Sequence, residues 1–220
     1  MRSPARDLRL TGRSALIDHI VLAVPDLADG VAGFQRLAGV RPVMGGSHAS
    51  LGTANYLVGL SDGAYLEIIG PDPDQPRPGR SRPFGIDDLT ASRIAAWCVR
   101  PPDLDRSIEA ARARGYDPGS PRVMSRSAPS GARLTWRLTS LPSDPADGLV
   151  PFLIDWGRTA HPTTAALPTL PLHFFEAEHP DPEPIRMRLA ALDVNLPVRP
   201  GPQPRLLVTL RGEKGLITLS

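Results

Sequence analysis

His19 in IDHIVLAV and Glu67 in AYLEII are polar residues set within apolar, strand-like runs, and they point most directly to chemistry. A polar group buried in such a run is costly unless it has a partner or a task. A neutral imidazole and a carboxylate are standard ligands for Zn, Ni, Mn or Fe, so together they are candidates to hold one divalent ion. Strand alternation groups His19 with Val21 and Ala23, and Glu67 with Tyr65 and Ile69, neighbours that suit a pocket wall. The plain alternative is a histidine bonded to backbone and a glutamate paired with an arginine.

His48 lies in the glycine-rich stretch GGSHASLGT, expected to be a loop, where backbone can approach a ligand closely. There it would serve as general base or hydrogen-bond donor, with Glu67 as the other catalytic candidate, unless it is simply solvent-exposed. Thr53 and Asn55 could orient a carboxylate or carbonyl, or only satisfy the loop's own backbone. Trp136 and Arg137 offer stacking plus a guanidinium for an anionic substrate, although Trp97, Trp136 and Trp156 also read as core aromatics. No Gly-Lys-Ser/Thr follows the glycines, which argues against a nucleotide cofactor. Cys98, the one cysteine, reads as buried and inert, with no neighbour to lower its pKa.

The elements that must position these residues follow a repeat. Apolar runs lead into Pro25-Asp26, Pro102-Asp103 and Pro180-Asp181, spaced by 77 and 78 residues, and each is followed by a helix-like segment. Proline ends the strand and Asp caps the helix. The expected order is β-α-β-β-β, with strands over 17–24, 41–44, 54–60 and 64–69, then 94–99, 122–125, 133–139 and 151–156. A third, partial βαββ copy has strands over 172–178, 205–211 and 215–219. The predicted organisation is a tail over 1–16, a first module over 17–70, a Pro-rich connector over 71–92 that wraps a module or covers a pocket mouth, a second module over 93–160 and a C-terminal partial module over 161–220. An inserted loop, SLPSDPADG, interrupts the second module.

The repeat also serves as a ruler. Seven residues before each Asp stand His19, Ala96 and Phe174, so the later copies lack the histidine. Aligning FLIDW with YLEII sets Ile154 or Asp155 opposite Glu67, and GLITLS has no acid at all. A metal site built from equivalent positions is therefore not visible, and His48, His161, His173 or Asp155 would have to complete it.

Net charge is +2 with dispersed arginines, which argues against nucleic acid. No run is long enough to span a bilayer, and the arginine-rich start has no apolar signal region. The expectation is a cytoplasmic protein, monomer or homodimer, binding a small molecule rather than a nucleic acid or a membrane. The 26 prolines and 20 glycines cluster between periodic segments and mark loops.

DHIVLAVPDL, GGSHASLGTANYLVGL, GAYLEIIGPDP and PFLIDW together resemble the glyoxalase-like branch of the vicinal oxygen chelate superfamily, over residues 17–160. The resemblance implies an α+β fold of paired βαβββ modules, a cupped mixed sheet or open barrel around a pocket. It also implies that His19 and Glu67 match first-module metal ligands. On this reading the chain is a lyase or isomerase for a small oxygenated or carboxylated metabolite, with a divalent metal. The alternative is a metal-free binding protein of the resistance type, and a third is a structural or partner-binding module.

Overall fold

The computed structural model describes residues 16–75, 79–141 and 147–220 of the 220-residue chain. The expected tail, apart from Leu16, and most of the inserted loop lie outside the described residues. The first elements are β1 (Leu16–Ala23), α1 (Leu27–Ala38), β2 (Val43–His48), β3 (Thr53–Gly59) and β4 (Tyr65–Pro71). Then follow β5 (Arg93–Arg100), α2 (Leu104–Ala113), β6 (Arg122–Ser127), β7 (Arg133–Leu138) and β8 (Phe152–Asp155). The last are β9 (Leu172–His179), α3 (Pro182–Ala191), β10 (Val198–Pro200), β11 (Arg205–Gly212) and β12 (Gly215–Leu219).

Each Pro-Asp pair separates a strand from a helix. Asp26 Oδ1 accepts from the Asp29 N–H at 2.9 Å and Asp103 Oδ1 from the Arg106 N–H at 3.0 Å, satisfying donors that the first helical turn leaves free. Asp181 holds the same position before α3 without a side-chain bond; Pro182 already removes one of those donors. Gly39, at φ 80°, ends α1 in the left-handed conformation.

Eight strands close into a barrel in the order β1-β4-β3-β2-β6-β7-β8-β5. β1 runs parallel to β4 and antiparallel to β5, and β5 runs parallel to β8. Adding 77 to a β1 residue gives its β5 counterpart, and this shift maps the β1–β5 register onto itself: His19↔Cys98 becomes Val21↔Ala96. The two halves are thus related by a two-fold axis passing between Ile20 and Trp97. Both strands bulge at equivalent residues, Asp18 and Ala95, so the extra residue belongs to the architecture. At the opposite side of the ring β2 meets β6 through the single pair Ser47↔Ser127. Gly46 permits that seam, because a Cβ there would collide with the Ser127 carbonyl oxygen.

β9, β11 and their neighbours form a second sheet, ordered β10-β9-β11-β12, that packs on the outer face of β1 and β5. Trp97 meets Phe175 edge-to-face at 5.1 Å and donates its indole N–H to Leu149 O at 3.0 Å. The apolar residues accordingly form two cores. One joins the helices and the second sheet to the outside of the barrel, and the other lines its inside with Val21, Ala96, Cys98, Trp136, Phe152 and Trp156. The connector plugs the interior with Phe84 and Ile86 from a short 3-10 turn.

Three expectations change. GGSH is not loop but the second half of β2, bulged at Gly45 so that the strand reaches His48. The third copy contains an additional strand, β10. Its first strand also pairs differently, parallel to the second strand of the copy where β1 is parallel to the fourth. Replacing Asp26 with Ala should cost about 1 kcal/mol in urea unfolding, whereas Asp181→Ala should change stability by only a few tenths; equal losses would contradict the capping assignment.

Candidate functional site

The bulge at Asp18 sets its side chain beside that of His19, which simple alternation would place on the other face. Asp18 is fully buried, and its Oδ1 accepts from His19 Nδ1 at 2.8 Å. Its Oδ2 accepts from Trp156 Nε1 at 3.0 Å and His161 Nε2 at 3.1 Å, with Arg100 Nη1 at 3.7 Å. Burial alone would raise the Asp18 pKa, but the bonds from His161 and His19 outweigh it and hold the carboxyl well below the usual range. With Nδ1–H committed to Asp18, His19 presents Nε2 to Glu67, whose Oε2 is 3.7 Å away. Tyr65 stacks on the imidazole at 4.9 Å, and Phe152 meets it edge-on at 5.4 Å. Glu67 Oε1 accepts from Asn55 Nδ2 at 2.6 Å.

His19, Asn55, Tyr65, Glu67 and Phe152 face a cavity of about 40 Å³ inside the barrel, lined also by His48, Phe84, Met124, Arg126, Trp136 and Trp156. Three buried polar atoms lack a hydrogen-bond partner among the described residues: Asn55 Oδ1, Arg126 Nη1 and Trp136 Nε1. All three belong to residues lining this cavity. A larger groove of about 820 Å³ lies outside the barrel between α2, α3 and β8, and it holds none of the candidate residues.

The structure therefore brings together His19, His48, Asn55, Tyr65, Glu67 and Trp136. Thr53 stands behind them, its Oγ1 3.3 Å from His48 Nδ1. Burial holds the His48 pKa below the ordinary histidine value, opposed by the Glu67 charge. It pushes the Tyr65 hydroxyl and the Cys98 thiol well up, so both stay protonated. Arg137 does not join the site: it alternates with Trp136, points outward, and pairs with Asp105 at 2.9 Å and Asp155 at 3.2 Å. The guanidinium beside Trp136 in the cavity is Arg126, which was not singled out because the sequence RVMSRS shows no alternation. Burial draws its pKa below the usual arginine value, partly opposed by Tyr65 and Glu67.

The register corrects the counterpart of Glu67. Val21 pairs with Glu67 and its equivalent Cys98 pairs with Phe152, so Phe152 rather than Ile154 or Asp155 matches the glutamate. By the same rule Asn55, opposite Ile69, matches Leu138, opposite Ile154. His19, Asn55 and Glu67 thus correspond to Ala96, Leu138 and Phe152: the first half of the barrel supplies polar groups where the second supplies apolar ones.

The donor set bears on the metal question. His19 and Glu67 are close enough to share an ion, but their counterparts cannot ligate, and among the described residues no third His, Cys, Asp or Glu, His48 included, clusters with both. Asp18, His19 and Cys98 also cluster, with ligand atoms within 4.8 Å of one another. Asp18 is already taken by its hydrogen-bond donors, however, and would have to give some of them up to ligate an ion. Among the described residues the one three-donor cluster thus has its carboxylate already engaged, which fits a resident metal ion poorly.

The sequence matches the glyoxalase-like domain family over residues 17–192. No curated protein matches it. Among solved structures, a hypothetical protein from Staphylococcus aureus superposes with a TM-score of 0.66 at 11% identity, covering 93% of this chain and 98% of its own. That likeness is one of fold. Methylmalonyl-CoA epimerase from Streptomyces coelicolor, in complex with 2-nitronate-propionyl-CoA, matches at TM-score 0.41 and 19% identity over 68% of this chain and 99% of its own. The Mycobacterium tuberculosis epimerase matches at TM-score 0.41 and 20% identity over 68% and 91%. No helix among the described residues is long and apolar enough to cross a membrane.

Two measurements bear on this site. Elemental analysis of the dialysed protein should find far less than one equivalent of Zn, Mn, Ni or Fe; a full equivalent lost on His19→Ala would contradict the donor-set argument. Because folding depresses the His48 pKa, the unfolded chain binds the extra proton below its ordinary value of 6.5. Stability from this group is complete above that pH and declines as pH falls through it, and His48→Gln should flatten this part of the urea-midpoint profile. An unchanged slope in the variant would show that His48 is not the group responsible.

Proposed function

The chain belongs to the glyoxalase-like domain family, and from that premise we propose that its barrel binds a small oxygenated or carboxylated metabolite and transfers a proton on it, in the manner of an isomerase or lyase. The observation that carries this reading is the Asp18–His19–Glu67 array. The Nδ1–H···Oδ1 bond of 2.8 Å leaves Nε2 as the nitrogen free to exchange a proton, and the ring lines the cavity. A carboxylate behind the ring stabilises the imidazolium formed when Nε2 takes a proton from a carbon next to a carbonyl.

Glu67, steadied by Asn55 and 3.7 Å from Nε2, stands where it can return or relay that proton. Buried His48, kept neutral, can donate a hydrogen bond to a substrate oxygen without adding charge. The apolar wall of Phe84, Leu138 and Phe152 excludes water, which strengthens each of these interactions. Asp18 acts through His19 and is a positioning residue, as are Trp156 and His161, which fill its remaining acceptor sites.

The same cavity would serve a metal-free binding protein, and the three unpartnered polar atoms favour ligand capture whether or not turnover follows. Exchange in D2O separates the two. Short 2-oxo and 2-hydroxy acids and neutral carbonyl compounds, incubated with the protein and followed by proton NMR, should lose their activated C–H signals. His19→Gln should abolish the exchange and Asp18→Asn should slow it by about 10²–10⁴-fold, with an altered pH profile. Ligand-induced stabilisation without exchange would favour the binding reading.

A further inference from the structure

The geometry points to a subsite in which Arg126, Trp136 and Asn55 hold the carboxylate and the adjacent hydroxyl of a short 2-hydroxy acid. It rests on the preceding reading only in taking the barrel cavity as the ligand site.

Arg126 is 6% exposed, and its buried Nη1 has no hydrogen-bond partner among the described residues. Buried Nη1 lacks an acceptor, and Glu67 acts on the guanidinium only through its charge, so an anion that accepts from Nη1 is the expected occupant. Trp136 Nε1 is a second free donor on the same cavity, and an indole N–H can only donate. Two donors, one of them cationic, suit the two oxygens of a carboxylate. Glu67 faces the same space, and its charge disfavours a dianion such as phosphate over a monoanion.

The third atom sets the other end of the ligand. Asn55 Nδ2 is held by Glu67 Oε1 at 2.6 Å, so the amide cannot turn over and Oδ1 must face away as an acceptor. Its complement is an O–H or N–H. A hydroxyl fits better than an ammonium, because Arg126 already supplies the positive charge.

The consecutive glycines Gly45 and Gly46 keep this corner open. A Cβ on Gly45 would run into Asn55 Oδ1, and one on Gly46 would stand 3.1 Å from Arg126 Nη1. The cavity of about 40 Å³ has room for roughly three waters, or about 90 Å³ of liquid, close to the size of a two-carbon acid such as glycolate.

Binding to the full chain should be measured by titration calorimetry and ligand-observed NMR with glycolate, L- and D-lactate, propionate, L-alanine and phosphate. Glycolate or one lactate enantiomer should bind, with propionate and alanine at least about tenfold weaker and phosphate weaker still. Asn55→Leu should bring lactate down to the level of propionate. Trp136→Phe, which keeps the ring and removes the N–H, should weaken lactate and propionate alike by about tenfold. Arg126→Gln should cost about 100-fold, with circular dichroism confirming its fold and Arg126→Lys recovering part of the loss.

Equal affinity for lactate and propionate, no effect of Trp136→Phe and Arg126→Lys, or no carboxylate binding at millimolar concentrations would overturn the assignment. Lactate bound without exchange of its C2 proton would leave the subsite standing and remove the acid–base role of His19. Exchange on neutral carbonyl compounds that is untouched by Arg126→Gln would do the reverse.

Discussion

A single buried carboxylate organises the candidate site. Asp18 has no exposure to solvent, and its charge is tolerated only because His19, Trp156 and His161 donate to it and Arg100 stands nearby. Those donors come from three parts of the chain: His19 from the same strand, Trp156 just beyond β8, and His161 from the segment that leads to the second sheet. Removing Asp18 would leave several buried donors unmatched at once, a larger penalty than the loss of any one hydrogen bond. The same carboxylate fixes which nitrogen of His19 faces the cavity, so one interaction ties the closure of the barrel to its chemistry.

The two halves of the barrel share a backbone plan but not a composition. The bulge occurs in both, at Asp18 and Ala95, and the following residue is His19 in one and Ala96 in the other. Glu67 and Asn55 likewise face Phe152 and Leu138 as counterparts. At these matched positions one half supplies polar groups and the other apolar ones, while Arg126 and Trp136 bring donors from the second half, so the site can orient a ligand while excluding water. The second sheet adds support from outside: it covers the face of β1 and β5 that carries Ile20 and Trp97, leaving the inner face free for the cavity.

Much of this was legible from residue order. Pro25-Asp26 and Pro102-Asp103 marked strand ends and helix caps because those roles depend on local geometry alone. His19 and Glu67 stood out because polar side chains in apolar runs need a reason. What the sequence did not show depends on pairing across the chain. Asp18 faces the site through a bulge that strand alternation does not anticipate. The counterpart of Glu67 depends on the register of β8 against β5, which places Phe152 there, outside both Ile154 and Asp155 that aligning FLIDW with YLEII offers. Arg126 lies in a strand without alternation, so the neighbouring Arg137 drew attention while its partners, Asp105 and Asp155, hold it outside. The glycines of β2 read as loop residues, yet they are what lets the strand pass close to Asn55 and Ser127.

The central claim is that Asp18 holds His19 with its proton on Nδ1 and its basic Nε2 towards Glu67. Nitrogen-15 NMR of the imidazole side chains, recorded at a pH where the rings are neutral, reads this directly. The account predicts a protonated Nδ1 and an unprotonated Nε2 for His19, with the Nδ1–H signal lost or shifted in Asp18→Asn. A proton found on Nε2 in the unaltered protein, or a His19 spectrum indifferent to Asp18→Asn, would contradict it.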